Sequence, residues 1–339
     1  MITISDLEKY DPSGMHKIYD QWPQIAKESY NSNFEEISFD KINHIIFAGM
    51  GGSGAIGDLF SSILSKSNIH VSIVKGYLLP KTVDKNTLVV VTSVSGNSQE
   101  TLTILESANK LDCSLIVFSS GGKIEKFCTK NDINFRKIDS IHSPRASFIK
   151  FVYSMLKVLD TILPISKNEI LESINSLKNI GDEISSNNIS DLNPSITLAK
   201  WISGIPLIYY PFGLQSAANR FKSSLQENAK SHAMIEDVIE ASHNSIVAWE
   251  KKSNIQPIFL RGRDDYIKTK ERWEIIKNYF DENNIDFKEI TSVNGEILTK
   301  LVCLVYLLDY ASIYKAVLNK TDPSPVSSIQ FIKNKLSEV

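Results

Sequence analysis

The chain has 339 residues, of which 42% are hydrophobic, and a formal net charge of −2 at pH 7. This length and apolar content predict a globular protein of two domains. The balanced charge and the lack of a dense Lys/Arg cluster argue against nucleic acid or an anionic membrane as partner. Residues 1–23 lack the basic flank and apolar centre of a signal peptide, and the longest apolar runs fall short of a bilayer span. We therefore expect a cytoplasmic protein.

The three cysteines, Cys113, Cys128 and Cys303, are widely spaced and lie in apolar or helical contexts. No spacing between them is typical of a metal site. We predict buried, reduced thiols and no bound metal.

The first half of the chain repeats an apolar β-branched run, a loop of Gly and hydroxyl residues, and a helical period. This is the signature of βαβ units. It predicts strands at residues 44–49, 70–75, 87–93, 114–120 and 133–139, and then a helix at 146–163. Continuous apolar runs are typical of parallel strands covered on both faces. We predict a three-layer α/β/α sandwich in a first domain, residues 1–163.

A polar stretch rich in Ser and Asn follows residue 165, with helical spacing in its first half and turn residues in its second. We place the domain junction here and assign residues 164–339 to a second domain with this linker. The strand, loop and helix order then returns. It predicts strands at 205–213, 255–262 and 285–292, and helices at 215–229, 267–283 and 295–318. Two domains of one architecture can enclose a single cleft.

Two loops between predicted strands and helices suggest a ligand. Residues 49–54, GMGGSG, fit the spacing G-x-G-x-x-G, which suits a dinucleotide diphosphate or the phosphate of a small metabolite. A dinucleotide site favours an acidic residue at the end of the second strand, but this strand ends at Lys75. The second loop, TSVSGNSQET at residues 92–101, offers several hydroxyls beside a helix start, which suits a dianionic monophosphate.

Loops of this composition also occur as plain turns and helix caps. Two of them at the carboxyl ends of strands in one α/β half favour a phosphate site, because ligands bind at that edge of open sheets. A nicotinamide-dependent oxidoreductase stays as an alternative, supported by the first loop alone.

The stretches GMGGSGAIGD and TSVSGNSQET resemble the two signature loops of SIS (sugar isomerase) domains, which bind phosphosugars. NRFKSSLQENAKSHA at 219–233 and DVIEASHNSIVAWE at 237–250 are similar to bifunctional phosphoglucose/phosphomannose isomerases of archaeal type. The resemblance extends from about Phe47 to the C-terminal lysines. It implies two SIS-type three-layer α/β/α domains with mainly parallel sheets, and interconversion of glucose 6-phosphate and mannose 6-phosphate with fructose 6-phosphate.

Residue by residue, the resemblance implies a catalytic base at Glu227, a ring-opening histidine at His243 and an arginine beside the substrate oxygens at Arg145. Lys333 matches the C-terminal active-site lysine, with Lys335 as a competing match. The resemblance also implies no cofactor, and a homodimer in which the histidine enters the neighbouring subunit's site. The residues that it assigns to the substrate phosphate are Gly51, Gly52, Ser53, Ser93, Ser95 and Ser98.

The proposed chemistry accounts for these residue types. An aldose 6-phosphate is stored as a ring, so a group that titrates near neutrality, such as histidine, must first move a proton to the ring oxygen. A carboxylate then transfers a proton between C2 and C1 through an enediolate. A guanidinium can stabilise the negative oxygen without losing its own proton. No electrons leave the substrate, so no redox cofactor is required.

Without the resemblance, Glu227 would be assigned to a solvated helix face, because it lies off its helix's apolar stripe. His243 or Ser242 could merely cap the following helix. The chain also departs from the family at Ile239, where a proline is common.

In the family, tolerance of both C2 epimers is attributed to a small hydroxyl residue near the terminal lysine. The candidates here are Ser324, Ser327 and Ser328. A non-catalytic, phosphosugar-binding SIS regulator stays as the alternative function. Such a regulator usually carries a DNA-reading domain, and no basic helix-turn-helix segment is evident in the sequence.

Overall fold

The computed structural model describes residues 2–336, which contain two parallel sheets. The strands of the first sheet are β1 (His44–Ala48), β2 (His70–Val74), β3 (Thr87–Ser93), β4 (Ser114–Ser119) and β5 (Asn134–Lys137). Those of the second are β6 (Ile205–Tyr210), β7 (Met234–Asp237), β8 (Ile255–Arg261) and β9 (Lys288–Thr291). Their orders are β2-β1-β3-β4-β5 and β7-β6-β8-β9, and neighbouring strands run parallel.

Helices connect the strands and cover both sheets. Those of the first half are α1 (Ile4–Tyr10), α2 (Met15–Asp20), α3 (Trp22–Tyr30), α4 (Gly52–Leu64), α5 (Gln99–Ala108), α6 (Gly122–Lys130) and α7 (Phe148–Val158). Those of the second are α8 (Lys167–Ile184), α9 (Pro194–Trp201), α10 (Gln215–Glu227), α11 (Val238–Ala241), α12 (Ile267–Glu282), α13 (Ile297–Leu318) and α14 (Ser327–Leu336), with a 3-10 helix at Ser245–Glu250. The predicted fold class, two α/β domains with parallel sheets, is confirmed.

The predicted strands and helices are present, most of them shortened at one or both ends. The strand predicted at 205–213 ends at Tyr210, because Pro211 has no N–H to donate to a neighbouring strand. The sequence did not predict β7, an edge strand of four residues, because so short a run carries little periodicity. It also did not predict α1 to α3, α9, α11 or α14.

Three apolar clusters fill the layers. The largest lies between the two sheets and includes Phe47 of β1, Ile208 of β6 and most of α13. The outer face of the first sheet packs against α5 and α6, with Ile46 of β1 among its buried residues. The outer face of the second packs Phe259 of β8 against α12. Alternate residues of one strand thus face different layers, as the continuous apolar runs predicted.

Helix α13 is the central element of the shared core. By length and composition its 22 residues could cross a membrane, which corrects the expectation that every apolar run falls short of a bilayer span. However, 89% of its most apolar window is buried inside the protein. Its hydrophobic surface is therefore used in packing.

The N-terminal helices pack on α13, although the sequence assigns them to the first domain. The Tyr306 hydroxyl donates to the backbone oxygen of Tyr19 at 2.6 Å, and the Tyr310 hydroxyl donates to that of His16 at 2.9 Å. The predicted boundary between residues 163 and 164 lies between α7 and α8 and stays a prediction. One apolar cluster contains residues of both halves, including strands of both sheets and α13.

A buried ion pair crosses this core. The Arg220 guanidinium of α10 contacts the Asp309 carboxylate of α13 at 2.7 Å, and the two side chains are 4% and 0% exposed. The carboxylate also accepts hydrogen bonds from the Tyr19 hydroxyl at 2.9 Å and the Ser224 hydroxyl at 2.5 Å. Burial and the Asp309 charge raise the pKa of Tyr19, so its hydroxyl keeps the proton that it donates. Every oxygen of the carboxylate therefore has donors.

We expect Arg220→Met to lower the free energy of unfolding by about 3–5 kcal/mol, because it leaves Asp309 charged and buried without its partner. Chemical denaturation followed by circular dichroism measures the change. The matched control is Lys200→Met, which removes the exposed Lys200–Asp191 pair and should cost less than about 1 kcal/mol. An equal loss of unfolding free energy in the two variants would contradict the larger stabilising effect expected of the buried pair.

Candidate active site

The first glycine loop joins β1 to the N-terminus of α4. Gly51 has φ +54° and ψ −123°, a conformation that favours glycine, and no side chain caps the helix. The amides of Gly51 and Gly52 donate no hydrogen bond to any residue within 2–336. The loop therefore presents unpaired N–H groups at the positive end of a helix, which suits an anion.

The second loop joins β3 to α5 and is rich in unused hydroxyls. Ser98 occupies the N-cap position of α5, yet its side chain makes no capping hydrogen bond. The Ser93 Oγ and the Thr101 Oγ1 are buried and have no hydrogen-bond partner among the described residues. Ser95 is exposed, and its hydroxyl accepts only a long contact, 3.4 Å, from the amide of Asn97. The second loop therefore carries hydroxyl groups whose hydrogen-bonding capacity the described residues do not use.

The structure brings the two loops together. The Val94 amide of the second loop donates to the Ser53 hydroxyl of the first at 3.0 Å. Gly52 faces the chain before α7, since a β-carbon built on it would lie 3.2 Å from the Pro144 carbonyl oxygen. Arg145 therefore follows directly from a segment that passes over the first loop.

Arg145 forms an ion pair with Glu227 at the C-terminus of α10. Its Nη1 donates to the Glu227 Oε2 at 2.8 Å, and the two side chains are 5% and 24% exposed. Its Nη2 donates to the backbone oxygens of Pro323 and Ser324 at 2.9 and 3.1 Å. Its Nε is buried and has no partner among the described residues. A carboxylate and a guanidinium thus lie side by side at the edge of the glycine loop.

The position of Glu227 corrects its assignment, from the sequence alone, to a solvated helix face. Arg220, Ser224 and Glu227 occupy positions i, i+4 and i+7 of α10 and share one face. Arg220 and Ser224 are buried against Asp309, so this polar stripe is directed inward. The signal was present in the sequence as a polar stripe on α10 and as a lone aspartate inside the apolar run of α13.

His243 lies elsewhere in the chain. It is exposed between α11 and the 3-10 helix, just beyond the carboxyl end of β7. Because β6 and β7 are parallel, α10 must return the chain to the opposite edge of the sheet, and Glu227 ends that helix. Within one subunit, His243 and Glu227 therefore lie at opposite edges of the second sheet.

Neither His243 nor Ser242 is the N-cap of the following 3-10 helix, in contrast to the capping role considered from the sequence; Ser242 is instead the C-cap of α11. The N-cap of the 3-10 helix is Asn244, whose side chain accepts from the Ser245 amide. Asp237 caps α11, and the Ser242 hydroxyl donates to the Val238 carbonyl.

Lys333 and Lys335 lie on α14, whose described residues are all exposed. The structure does not place Lys333 against Glu227. Of the three candidate hydroxyl residues, Ser324 contacts the site, through its carbonyl to Arg145 and its hydroxyl to the His142 Nε2 at 3.3 Å. Ser327 and Ser328 are exposed at the start of α14.

Residues 2–336 contain no group of three or more His, Cys, Asp or Glu side chains placed to hold a metal ion. The cysteines are unpaired, and Cys128 and Cys303 are buried. Cys113 is only partly buried, which corrects the expectation for that residue. Burial raises the pKa of Cys128 to about 11 and that of Cys303 to about 12, so both stay protonated at neutral pH.

Paired glycine and serine loops at the carboxyl edge of a parallel sheet, followed by a second α/β domain of the same architecture, define a two-domain SIS protein. Residues 38–163 match the SIS domain family, and residues 191–336 match the family of bacterial phosphoglucose isomerase C-terminal SIS domains. The chain belongs to the bifunctional phosphoglucose/phosphomannose isomerase family, as the resemblance predicted.

Full-length relatives carry this assignment. The bifunctional phosphoglucose/phosphomannose isomerase of Caldicellulosiruptor bescii is 31% identical over 315 residues, 89% of this chain and 92% of the relative. That of Aquifex aeolicus is 28% identical over 336 residues, 96% and 99% of the two chains. Among solved structures, a hypothetical protein from Thermus thermophilus superimposes with a TM-score of 0.77 at 12% identity, over 98% of this chain and 92% of that one. The last match shows the shared fold.

We expect Gly96→Ala to disrupt the second loop. Gly96 has φ +67°, and a β-carbon there would lie 1.8 Å from the Gly121 carbonyl oxygen, so the variant should lose more than about 1 kcal/mol of stability. Binding of inorganic phosphate, measured by calorimetry, should weaken as well. Gly76→Ala is the control, because its β-carbon meets nothing within 4 Å. A Gly96→Ala protein as stable as this control would contradict the role of the close contact.

Proposed function

We propose that the protein is an aldose-ketose isomerase that interconverts glucose 6-phosphate and mannose 6-phosphate with fructose 6-phosphate. The observation that carries the proposal is the Arg145–Glu227 pair, 2.8 Å apart, at the edge of two loops with unused phosphate donors. Membership of the isomerase family supports it over a non-catalytic SIS regulator. The dinucleotide alternative leaves the second loop without a role.

The substrate phosphate binds to the two loops. Gly51 and Gly52 donate backbone N–H groups, and the remaining donors are the hydroxyls of Ser53, Ser93, Ser95 and Ser98. A dianionic phosphate has three exposed oxygens that each accept several hydrogen bonds, which matches a site built from two helix N-termini. These hydrogen bonds hold the phosphate end of the sugar, so that C1 and C2 extend toward Arg145 and Glu227.

Acid and base groups then act on the sugar. His243 moves a proton between the ring oxygen and the C1 hydroxyl, which opens the ring. Glu227 removes the proton from C2 and returns it to C1, and an enediolate forms between these steps. Arg145 stabilises the negative charge that develops on oxygen. Lys333, or Lys335 in its place, is the C-terminal lysine of the site. The isomerisation moves one proton from C2 to C1 and a second from the C2 hydroxyl to the C1 oxygen, in addition to the proton that opens the ring. No electrons leave the substrate, so the reaction needs no redox cofactor, and Arg145 rather than a metal ion stabilises the enediolate.

The active protein is proposed to be a homodimer with shared sites. The position of His243 supports this, because it lies at the edge of the second sheet opposite to Glu227. A second copy related by a two-fold axis can bring its own His243 to the Glu227 of the first, and the reverse contact follows by symmetry. A cytoplasmic location is part of the proposal, in keeping with three unpaired cysteines.

We expect the purified protein to convert fructose 6-phosphate to glucose 6-phosphate and mannose 6-phosphate, with equal rates in the presence and absence of a chelator. Glu227→Gln should lower kcat by about 10²–10⁴-fold, because the amide cannot accept the C2 proton. Its dissociation constant for the sugar phosphate should change little, because the phosphate donors remain. Enzyme-coupled assays and calorimetry measure the two quantities. Glu282→Gln, an exposed carboxylate of α12, is the control, and full activity in Glu227→Gln would overturn the assignment of the base.

Mixed dimers test the shared site. Glu227→Gln and His243→Asn are each expected to be nearly inactive as pure dimers. In a heterodimer of the two variants, one site receives an intact Glu227 and an intact His243. Random pairing should therefore restore about a quarter of the wild-type activity after the two proteins are denatured and refolded together. If both residues act within one subunit, the mixture stays inactive.

A further inference from the structure

Two cations hold residues 322–325, which lie in the segment between α13 and α14; we call residues 322–325 the C-terminal connector. Arg145 Nη2 donates to the carbonyls of Pro323 and Ser324 at 2.9 and 3.1 Å. Lys230 Nζ donates to the carbonyl of Pro325 at 2.7 Å and contacts that of Pro323 at 3.4 Å. Three consecutive carbonyls thus face two positive side chains from different parts of the chain.

The same two cations also hold the end of α10. Arg145 pairs with the carboxylate of Glu227, and Lys230 Nζ donates to the Glu227 backbone oxygen at 2.5 Å. Each cation therefore links Glu227 to the C-terminal connector. Hydrogen bonds from charged donors are the stronger ones, so the links are more than incidental surface contacts.

The backbone at Lys230 is a separate observation. Its φ is +54°, in the left-handed region that is unfavourable for a residue with a β-carbon and that glycine adopts freely. Partial burial, and then the charge of Arg145, lower the pKa of its ammonium group. A glycine would adopt this φ without the steric strain that a β-carbon causes. The backbone conformation thus does not require a lysine here, and what distinguishes Lys230 is that its ammonium group contacts the Glu227, Pro323 and Pro325 oxygens.

We propose that Lys230 is a positioning residue, which fixes the C-terminal connector against the end of α10 and so orients Glu227 and the start of α14. This inference rests on the proposed function, in which Glu227 is the base and α14 carries Lys333. The sugar-phosphate reaction needs both groups in one place, although they are 106 residues apart in the sequence. The connector with its two cations supplies the physical link.

Helix capping is the competing explanation. A lysine near a helix C-terminus often donates to the last free carbonyls. Such a cap accounts for the bond to the Glu227 oxygen but not for the bonds to Pro323 and Pro325, which belong to another segment. A cap also predicts a loss of stability when the lysine is removed, whereas a positioning residue predicts a change in the connector and in turnover.

The test uses the full-length variant Lys230→Gly, which removes the ammonium group while it suits the left-handed backbone. Hydrogen–deuterium exchange of peptides covering residues 322–336 should become about tenfold faster, because the connector loses its charge-assisted hydrogen bonds. We expect kcat to fall about tenfold, KM for fructose 6-phosphate to change less than about threefold, and the unfolding midpoint to stay at or above that of the wild type. Lys230→Arg should restore most of the turnover.

The matched control is Lys41→Gly, an exposed lysine with φ +58° that precedes β1, at the edge of the first sheet opposite to the glycine loop. It should change neither exchange at 322–336 nor kcat. Unchanged exchange in Lys230→Gly would contradict the proposal that Lys230 holds the C-terminal connector. Faster exchange with an unchanged kcat would contradict the proposal that this contact affects the reaction. If wild-type protein lacks isomerase turnover, the proposed function fails, while the exchange comparison still decides whether Lys230 holds the connector.

Discussion

The buried ion pair between Arg220 and Asp309 is the contact on which the arrangement of the site depends. Arg220 Nη2 also donates to the Arg145 carbonyl at 2.8 Å, and its guanidinium lies 4.4 Å from the centre of the Phe148 ring. One arginine of α10 thus holds the backbone of the segment that carries Arg145. A charge buried this deeply is tolerated only when its hydrogen bonds are satisfied, so each neighbour is fixed in position.

The consequences extend from this pair to the edge of the core. Since Arg145 follows the turn over the first glycine loop, fixing its backbone also fixes its side chain relative to that loop. Glu227 lies two helical turns beyond Arg220 on the same face of α10 and meets the guanidinium of Arg145. The exposed fraction of the ionic side chains rises from 0% at Asp309, in the core, to 24% at Glu227. The Glu227 carboxylate, the proposed base, therefore lies where the network reaches solvent.

The sheet topology determines which part of the site each half of the chain contributes. Parallel strands place the loops that follow them at one edge, so the first sheet brings both glycine and serine loops, the proposed phosphate site, to that edge. The second half contributes the end of a returning helix, which carries Glu227, and a connector after α13, which carries carbonyl acceptors. A site of this kind needs both halves locked together, and the shared cluster around α13 provides that rigidity.

The sequence by itself determined the βαβ order, the parallel sheets and the two glycine and serine loops, because these depend on local periodicity and turn chemistry. Family resemblance then selected Glu227, His243 and Arg145, which composition alone would have left on the surface. Only the tertiary structure decided that Glu227 pairs with Arg145, that α13 is a buried core helix, and that β7 completes the second sheet. It also separated His243 from Glu227 within one subunit. The physical reason is distance along the chain: contacts such as that between Arg145 and Glu227, 82 residues apart, arise from packing of whole elements and leave no periodic trace in either segment.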